Sequence, residues 1–355
     1  MIAGTRDAMF RSTSSALERV PNDARRRAWR LLEDVTRRIP RAALTAPIGG
    51  RLPLLRPEVS RERLGRAIGA KRALLTGATS GIGLETAYAI ARAQGRVILV
   101  ARGEDRLIEV ASQIRALGGS ADVVAANLAD ADEADAVAQT VLDRHGGIDV
   151  LINNAGHSIR RPLARSYDRD HDFEPTMALN YFGALRLILG FLPGMRDRGD
   201  GHIVNISTLG VEVGPEPRFS AYLASKAALD AFSASAAPET VHDGVSWTTV
   251  YMPLVRTPMI APTSVYQHVP MLTPREASQL VLEALVYRSR YVSTPIGRIG
   301  AVLYRISPAT IESLFNLGFR LVPDESEAEY AERERVRERK AAGDRHDGRR
   351  RQPVG

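Results

Sequence analysis

The chain has 355 residues, of which 44% are hydrophobic and 25% charged, as is typical of a soluble globular protein. It has no cysteine and its histidines form no HExxH pair, which excludes disulfides and thiolate catalysis and leaves no predicted metal site. Residues 1–72 hold 17 basic and 7 acidic side chains, whereas the remaining residues hold 31 basic and 34 acidic side chains. The basic character therefore belongs to the N-terminal part, and a nucleic-acid-binding core is not expected.

Residues 1–70 are predicted to form a basic extension ahead of the folded domain. Within it, residues 17–39 can form an amphipathic helix that is interrupted near Pro21. The opening residues lack the long apolar core of a signal peptide. The best candidate for a membrane-spanning run, residues 179–195, is interrupted by Arg186. The sequence therefore predicts a cytoplasmic protein without a spanning helix.

From Arg72 onward, short apolar strands alternate with helices. Strands are predicted at 73–75, 96–101, 121–126, 150–153, 202–206 and 246–251, and helices at 82–94, 106–117 and 131–145. This βαβ pattern implies an α/β fold with a doubly wound parallel sheet of the Rossmann type and helices on both faces. We assign residues 71–295 to one catalytic domain of this fold.

Two further segments follow the predicted domain. Residues 296–342 are predicted to form a helical extension that is first apolar and then highly charged, and residues 343–355 a disordered tail. The apolar part, residues 296–323, has two interpretations. It packs against the core or a second subunit, which we favour, or it contacts a membrane surface.

A glycine-rich turn, TGATSGIG at residues 76–83, joins the first predicted strand to the first predicted helix. Glycines let the backbone turn sharply and approach a pyrophosphate closely, and the helix start offers unpaired N–H groups. A turn without a ligand is the alternative, but its place between a strand and an amphipathic helix favours a dinucleotide site. The predicted contacts are Gly77, Thr79, Ser80, Gly81, Ile82 and Gly83.

The residue that follows the second strand bears on the choice of cofactor. Arg102 stands where an acidic side chain would bind the ribose 2′-hydroxyl of NAD, whereas an arginine suits the 2′-phosphate of NADP. A solvated surface arginine is the alternative interpretation. We therefore expect NADPH to be preferred, with NADH as the alternative cofactor.

Tyr222 and Lys226 stand four residues apart in the segment YLASK, so a helix would place both on one face. An ammonium beside a phenol favours the phenolate and lowers the phenol pKa from its usual value near 10. Tyr222 could then act as the general acid when a carbonyl is reduced. An ordinary Tyr–Lys helix pair is the alternative, and the position downstream of the glycine-rich turn favours catalysis.

Five motifs in this order resemble the classical short-chain dehydrogenases over residues 71–290. They are the turn at 76–83, NNAG at 153–156, Asn180, the YLASK segment, and MPLVRT at 252–257, which is similar to PGxVxT with Leu254 in place of glycine. The resemblance implies further cofactor contacts. They are Asn127, Leu128, Asn154, Ala155, Gly156, Tyr222, Lys226, Pro253, Val255 and Thr257.

The resemblance also implies a catalytic tetrad. Asn180 matches the asparagine that holds a proton-relay water, although a helix-borne asparagine satisfied locally is the alternative. The active hydroxyl falls at Thr208 when counted from Asn205 and at Ser207 when counted back from Gly210, and either could donate to a substrate carbonyl. The predicted catalytic residues are therefore Asn180, Ser207, Thr208, Tyr222 and Lys226.

Three segments resemble a narrower group. Residues 217–222, 252–263 and 295–323 are similar to the reductase region of bacterial long-chain fatty acyl-CoA reductases and related lipid reductases. This resemblance implies NADPH-dependent reduction of a ketone, aldehyde or acyl thioester of a long-chain lipid. The alternatives are a dehydrogenase of a compact polar or steroid-like alcohol and a non-catalytic NADP-binding scaffold. A lipid substrate, a homo-oligomer and peripheral membrane contact are expected, and no nucleic acid.

Overall fold

The structure is a computed structural model that describes residues 58–261 and 269–321. The predicted amphipathic helix at 17–39, the charged helix after residue 323 and the predicted disordered tail lie outside the described residues. The described residues up to 315 belong to one compact unit, and residues 316–321 fall in a second one.

The described elements alternate between strands and helices, as the sequence predicts. The strands are β1 (Arg72–Thr76), β2 (Arg96–Ala101), β3 (Ser120–Ala125), β4 (Val150–Asn153), β5 (Gly201–Thr208), β6 (Val245–Met252) and β7 (Tyr291–Val292). The helices are α1 (Arg61–Ile68), α2 (Gly81–Arg92), α3 (Glu104–Ala116), α4 (Ala131–His145), α5 (Asp170–Met177), α6 (Ala184–Arg198), α7 (Leu209–Val213), α8 (Ser220–Thr240), α9 (Pro274–Tyr287), α10 (Pro295–Ile306) and α11 (Pro308–Leu321). A π-helix, Ala178–Gly183, joins α5 to α6.

The strands of the described region form one parallel sheet in the order β3-β2-β1-β4-β5-β6-β7. The chain runs outward from β1 to β3 and then returns to the other side of β1 at β4. The strand order therefore reverses between β1 and β4. In a doubly wound sheet, ligands bind at the carboxyl ends of the strands beside such a reversal. The predicted Rossmann-like fold is confirmed.

Two hydrophobic layers cover the two faces of the sheet. Alternate residues of β1 divide between them, with Ala73 and Leu75 in one layer and Leu74 in the other. The first layer contains apolar residues of α1, α2, α3 and α9, and the second contains apolar residues of α4, α6 and α8. Because both faces are covered, the central strands are continuous apolar runs, and their residues are almost wholly buried.

Several elements of the domain are absent from the sequence-based prediction, among them α1, α9 and β7. Helix α1 lies within residues 1–70, yet its Leu64 and Ile68 are buried in the first hydrophobic layer. Helix α9 begins with a capping box, in which the Thr273 hydroxyl accepts from the Glu276 backbone and the Glu276 carboxylate accepts from the Thr273 backbone. The two-residue strand β7 then pairs with β6. The folded unit therefore begins ahead of residue 71.

One helical run in the described region is long and apolar enough to cross a membrane by length and composition. It spans Asp170–Arg198 and has a mean hydropathy of 1.2. Its apolar residues Leu187, Ile188 and Phe191 are buried in the second hydrophobic layer. Packing against the sheet therefore accounts for part of the apolar character of this run, whereas Phe182 and Leu189 remain about half exposed.

Helix α10 has two unlike faces. Gly297 and Ala301 are buried, whereas Ile299 is 61% exposed and Ile306 is 75% exposed, with Val302 and Leu303 also exposed on the same side. Packing against the core, which we favoured for this apolar stretch, holds only for the inner face. The outer face is an apolar surface of the described unit.

Candidate active site

The carboxyl ends of four parallel strands, β1, β4, β5 and β6, lie at the same edge of the sheet. A cavity of about 470 Å³ lies at this edge. The glycine-rich turn follows β1 and lines one side of it. Tyr222 and Lys226 of α8 line another, together with the segment that follows β6. The doubly wound fold therefore brings three distant motifs of the sequence into one space.

The glycine-rich turn has the geometry that close approach of a phosphate requires. Gly77 and Gly81 have positive φ angles of 66° and 56°, which favour glycine. A Cβ at Gly83 would overlap the carbonyl of Gly77. Ser80 occupies the N-cap of α2, yet its side chain makes no capping hydrogen bond, so no side chain competes for the first-turn N–H groups of the helix. These features fit the pyrophosphate of a dinucleotide.

Asparagines at the end of β4 fix this turn to its neighbours. Asn154 Nδ2 donates to the carbonyl of Thr76 at 2.9 Å. The Thr76 hydroxyl accepts from the backbone N–H groups of Asn154 and Ala155, both at 2.9 Å. On the other side, Asn153 Nδ2 donates to Asn205 Oδ1 at 2.8 Å, within the sheet. The NNAG motif therefore joins the glycine-rich turn to β5, where the catalytic hydroxyls stand.

Lys226 is buried, with 4% of its surface exposed. Its Nζ donates to the backbone carbonyl of Ile206 at 2.8 Å. Burial lowers the pKa of Lys226 from 10.5 to about 8, because an apolar surrounding disfavours the charged form. The lysine is therefore held close to its titration point near neutral pH.

Tyr222 behaves differently from the expectation. Burial raises the pKa of its hydroxyl above 10.0, and the negative charge of Glu216 raises that pKa further. A hydrogen bond with the Thr208 hydroxyl lowers it. Lys226 is not among the groups that shift this pKa, so the predicted lowering by Lys226 is absent and burial dominates. Tyr222 is therefore held in the protonated form that a general acid needs.

Asn180 lies in the π-helix and is almost fully buried. Its Nδ2 donates to the carbonyl of His157 and to the Ser225 hydroxyl, and its Oδ1 accepts from the His157 N–H, all at 2.8 Å. A Cβ at Gly156 would lie 3.3 Å from Asn180 Oδ1 and 3.4 Å from Lys226 Nζ. Gly156 therefore lies close to both Asn180 and Lys226, and the Asn180 amide is engaged by His157 and Ser225.

The two candidate hydroxyls, Ser207 and Thr208, both line the cavity. Thr208 hydrogen-bonds to Tyr222 and also accepts from the backbone N–H of Gly210 at 3.4 Å. The Ser207 hydroxyl is buried and has no hydrogen-bond partner within the described part of the chain. The contact with Tyr222 favours Thr208 as the hydroxyl beside the proton donor.

The segment after β6 is fixed by a bridge to residues ahead of α9. The N–H of Leu272 donates to the Leu254 carbonyl at 3.0 Å, and the N–H of Arg256 donates to the Leu272 carbonyl at 2.9 Å. Leu254 does not have a positive φ, so the glycine of the family motif is not needed for the turn. A Cβ at Gly81 would lie 3.0 Å from Thr257 Cγ2, so the segment after β6 packs closely against the glycine-rich turn.

Most of the predicted site residues line the cavity. They are Gly77, Ser80, Gly81, Ile82, Asn154, Ala155, Gly156, Ser207, Thr208, Tyr222, Lys226, Pro253, Val255 and Thr257. The others do not line it, and they are Thr79, Gly83, Arg102, Asn127, Leu128 and Asn180.

The residues outside the cavity have identifiable positions. Arg102 is exposed beyond the end of β2. The side chain of Asn127 stabilises a local turn, in which its Oδ1 accepts a hydrogen bond from the Ala129 N–H at 3.3 Å. Leu128 is buried in the second hydrophobic layer. These positions border the outer half of the crevice, where the β2 and β3 strands end.

Glu216 is a cavity residue that the sequence did not reveal. It lies in the loop between α7 and α8 and is half-buried. Burial raises its pKa to about 7, and the positive charge of Arg160 opposes that rise. Its charge acts on Tyr222. No motif marks this position, because its proximity to Tyr222 arises from the loop path between two helices.

A doubly wound sheet with a glycine-rich turn, a Tyr–Lys pair and a hydroxyl around one crevice defines a dinucleotide-dependent oxidoreductase site. The family model described as short chain dehydrogenase matches residues 71–266. The chain belongs to the short-chain dehydrogenase/reductase family, and it is an enzyme of that class by fold and by sequence.

Several relatives are similar over most of the chain. An uncharacterized oxidoreductase of Mycobacterium tuberculosis is 49% identical over 77% of this chain and 81% of its own length. A fatty acyl-CoA reductase of Acinetobacter baylyi is 48% identical over 73% of this chain and 87% of its own length. A fatty acyl-CoA reductase of M. tuberculosis is 44% identical over 80% of this chain and 96% of its own length.

Solved structures match the fold. A metagenomic short-chain oxidoreductase in complex with NADP is 31% identical, with a TM-score of 0.54 over 62% of this chain and 92% of that chain. L-Sorbose reductase from Gluconobacter frateurii, complexed with NADPH and L-sorbose, is 27% identical. Its TM-score is 0.58, over 64% of this chain and 95% of that chain. A short-chain dehydrogenase from Streptomyces avermitilis is 28% identical. Its TM-score is 0.60, over 71% of this chain and 98% of that chain.

Proposed function

We propose that this protein reduces the carbonyl group of a long-chain lipid with NADPH. The observation that carries the proposal is the shared cavity, in which the glycine-rich turn and Tyr222 face a wall of apolar side chains. That wall includes Leu209, Val213, Phe219, Leu254 and Ile260. An apolar wall suits an apolar substrate. The fatty acyl-CoA reductases among the relatives support the same substrate class.

The cofactor is NADPH in preference to NADH. Arg102 follows β2 directly and is exposed, so its guanidinium can reach a 2′-phosphate without loss of another contact in the cavity. Two of the structural neighbours are complexes with NADP or NADPH, which supports the same choice. The glycine-rich turn and the first turn of α2 would hold the pyrophosphate, and Thr257 and Lys226 would line the nicotinamide end.

NADPH supplies the hydride that adds to the substrate carbonyl carbon. Tyr222 donates its proton to the carbonyl oxygen, since burial and the Glu216 charge keep the hydroxyl protonated. Thr208, hydrogen-bonded to Tyr222, holds the phenol in place and faces the same oxygen. Lys226, with a pKa of about 8, would supply the proton that restores the Tyr222 hydroxyl after each turnover.

The test is NADPH oxidation measured in parallel against a long-chain acyl-CoA, a fatty aldehyde and a long-chain oxo-ester. We expect turnover with at least one of them, increasing with chain length, and none in Tyr222→Phe. A dehydrogenase of compact polar alcohols would instead prefer short substrates. NADPH oxidation that is independent of chain length would contradict the lipid assignment.

The exposed face of α10 is the proposed point of membrane contact. Val302, Leu303 and Ile306 form an exposed apolar stripe, and residues 1–72 carry a net charge of +10. An apolar helix face and basic side chains together favour an anionic bilayer. Co-sedimentation with anionic liposomes should be lost in Ile306→Glu and kept in the control Leu117→Glu, since Leu117 is also an exposed apolar residue and stands at the end of another helix. Equal binding by both would exclude the α10 face.

Self-association is proposed on the helices that flank the sheet. Leu189 of α6 and Phe182 beside it are apolar and about half exposed on the outer side of the second layer. Burial of these side chains against a second copy would remove apolar surface from water. Sedimentation velocity should show a dimer or tetramer that Leu189→Arg dissociates. A monomer at micromolar concentration would contradict this proposal.

A further inference from the structure

A second cavity of about 290 Å³ lies beside the active-site cavity. The two cavities have four wall residues in common, which are Leu209, Val213, Pro253 and Leu254. A thin apolar partition therefore separates the reaction centre from a second space. Leu254, the residue in place of the family glycine, belongs to that partition.

Glycines of α10 line the second cavity and let this helix pack closely against α7. A Cβ at Gly300 would lie 3.1 Å from Val213 Cγ1, and a Cβ at Gly297 would overlap the side chain of Leu209. α10 therefore lies against α7 at a distance that only glycine allows, and neither position fills the space between them. Ile296, one residue before Gly297, lines this cavity and not the active-site cavity.

The lining of this cavity selects one kind of ligand. The lining residues within 58–261 and 269–321 are aliphatic, proline or glycine, and none of these carries a hydroxyl, amide or charged side chain. A polar head group would find no hydrogen-bond partner there and would lose its water. A hydrocarbon chain needs no such partner and gains by leaving water. The chemistry of the walls therefore fits an alkyl chain.

We infer that the second cavity receives the distal part of the substrate's alkyl chain, and that Ile296 sets the chain length that the enzyme accepts. The inference rests on the proposed function for the position of the head group, which would stand at Tyr222 in the neighbouring cavity. The chain passes the partition formed by Leu209 and Leu254 and ends against α10.

The experiment measures binding rather than turnover. Octanol, decanol and dodecanol are titrated calorimetrically into the full-length protein with NADP⁺ bound. Each methylene that leaves water for an apolar site strengthens binding by about fourfold. The dissociation constant should therefore fall by about sixteenfold for each pair of added methylenes. In Ile296→Trp the larger side chain fills the second cavity, and the gain from octanol to dodecanol should disappear.

Ile299→Trp is the matched control, because Ile299 lies on the same helix, is 61% exposed and does not line the cavity. It should keep the wild-type dependence on chain length. Ile296→Ala enlarges the same cavity, and affinity should then continue to rise for tetradecanol and beyond. If Ile296→Trp does not fold, this second variant carries the test.

Equal chain-length dependence in the wild type, Ile296→Trp and Ile299→Trp would overturn the inference. So would an unchanged limit of chain length in Ile296→Ala. Failure of the proposed function gives a different result, because an enzyme that reduces no long-chain carbonyl can still bind alkanols in this order. The absence of NADPH oxidation together with the expected binding series would therefore refute the reaction and leave the cavity assignment intact.

Discussion

Lys226 is predicted to reduce the stability of the free enzyme while serving its chemistry. Burial holds its pKa at about 8 instead of 10.5, a difference that corresponds to about 3 kcal/mol at neutral pH. Replacement by methionine removes the buried charge and keeps the apolar stem. The hydrogen bond to the Ile206 carbonyl is lost, at a cost of about 1 kcal/mol. We therefore expect Lys226→Met to unfold at higher denaturant concentration, with a net gain of about 2 kcal/mol.

The gain should depend on pH in a defined direction. The folded-state pKa of Lys226 is below its unfolded value, so the unfolded chain binds more protons between pH 8 and pH 10.5. The wild type therefore gains stability relative to Lys226→Met as pH rises through this window. The advantage of the variant is full below pH 8 and should fall by about 2 kcal/mol between pH ~7 and pH ~9.5.

Urea unfolding at several pH values, without cofactor, measures this difference. Lys71→Met is the control, because Lys71 is a surface lysine paired with Asp200 at 3.0 Å and its removal should not stabilise the protein. NADPH turnover in Lys226→Met should fall by about a hundredfold or more. A Lys226→Met protein that is less stable than the wild type at neutral pH, or whose advantage does not change with pH, would refute the reasoning.

Four further predictions concern the proposed catalytic and cofactor residues. Tyr222→Phe should abolish turnover while the NADPH dissociation constant stays nearly unchanged, because the ring remains and only the proton is lost; retained turnover would remove Tyr222 from the mechanism. Arg102→Ala should weaken NADPH binding more than NADH binding, as fluorescence titration would show, and equal affinities in the wild type would contradict the phosphate contact. Thr208→Val should reduce kcat far more than Ser207→Ala, since only Thr208 hydrogen-bonds to Tyr222; the reverse order would make Ser207 the active hydroxyl. Glu216→Gln should remove a transition near pH 7 from the pH–kcat/KM profile, since burial raises the pKa of Glu216 to about 7, and an unchanged profile would exclude the charge of Glu216 from the reaction.

The sequence by itself determined the fold and the main motifs of the site. Continuous apolar strands between amphipathic helices specify a doubly wound parallel sheet, because only that arrangement buries both faces of such strands. The glycine-rich turn, NNAG and the Tyr–Lys pair follow from it, since each stands at a strand end or on a helix that the fold directs to the same edge. Local pattern was sufficient wherever the chemistry depends on residues close together in the chain.

Only the tertiary structure decided the properties that depend on distant groups. The pKa of Lys226 is lowered by burial, and that of Tyr222 is raised first by burial and then by the charge of Glu216, a loop residue that no motif marks. The choice between Ser207 and Thr208 turns on which hydroxyl reaches Tyr222, a contact between a strand end and a helix. The second cavity arises where α10 packs against α7 through Gly297 and Gly300. These two helices are far apart in the chain. Desolvation and packing across elements have no signature in local sequence, because they are set by which surfaces the fold brings into contact.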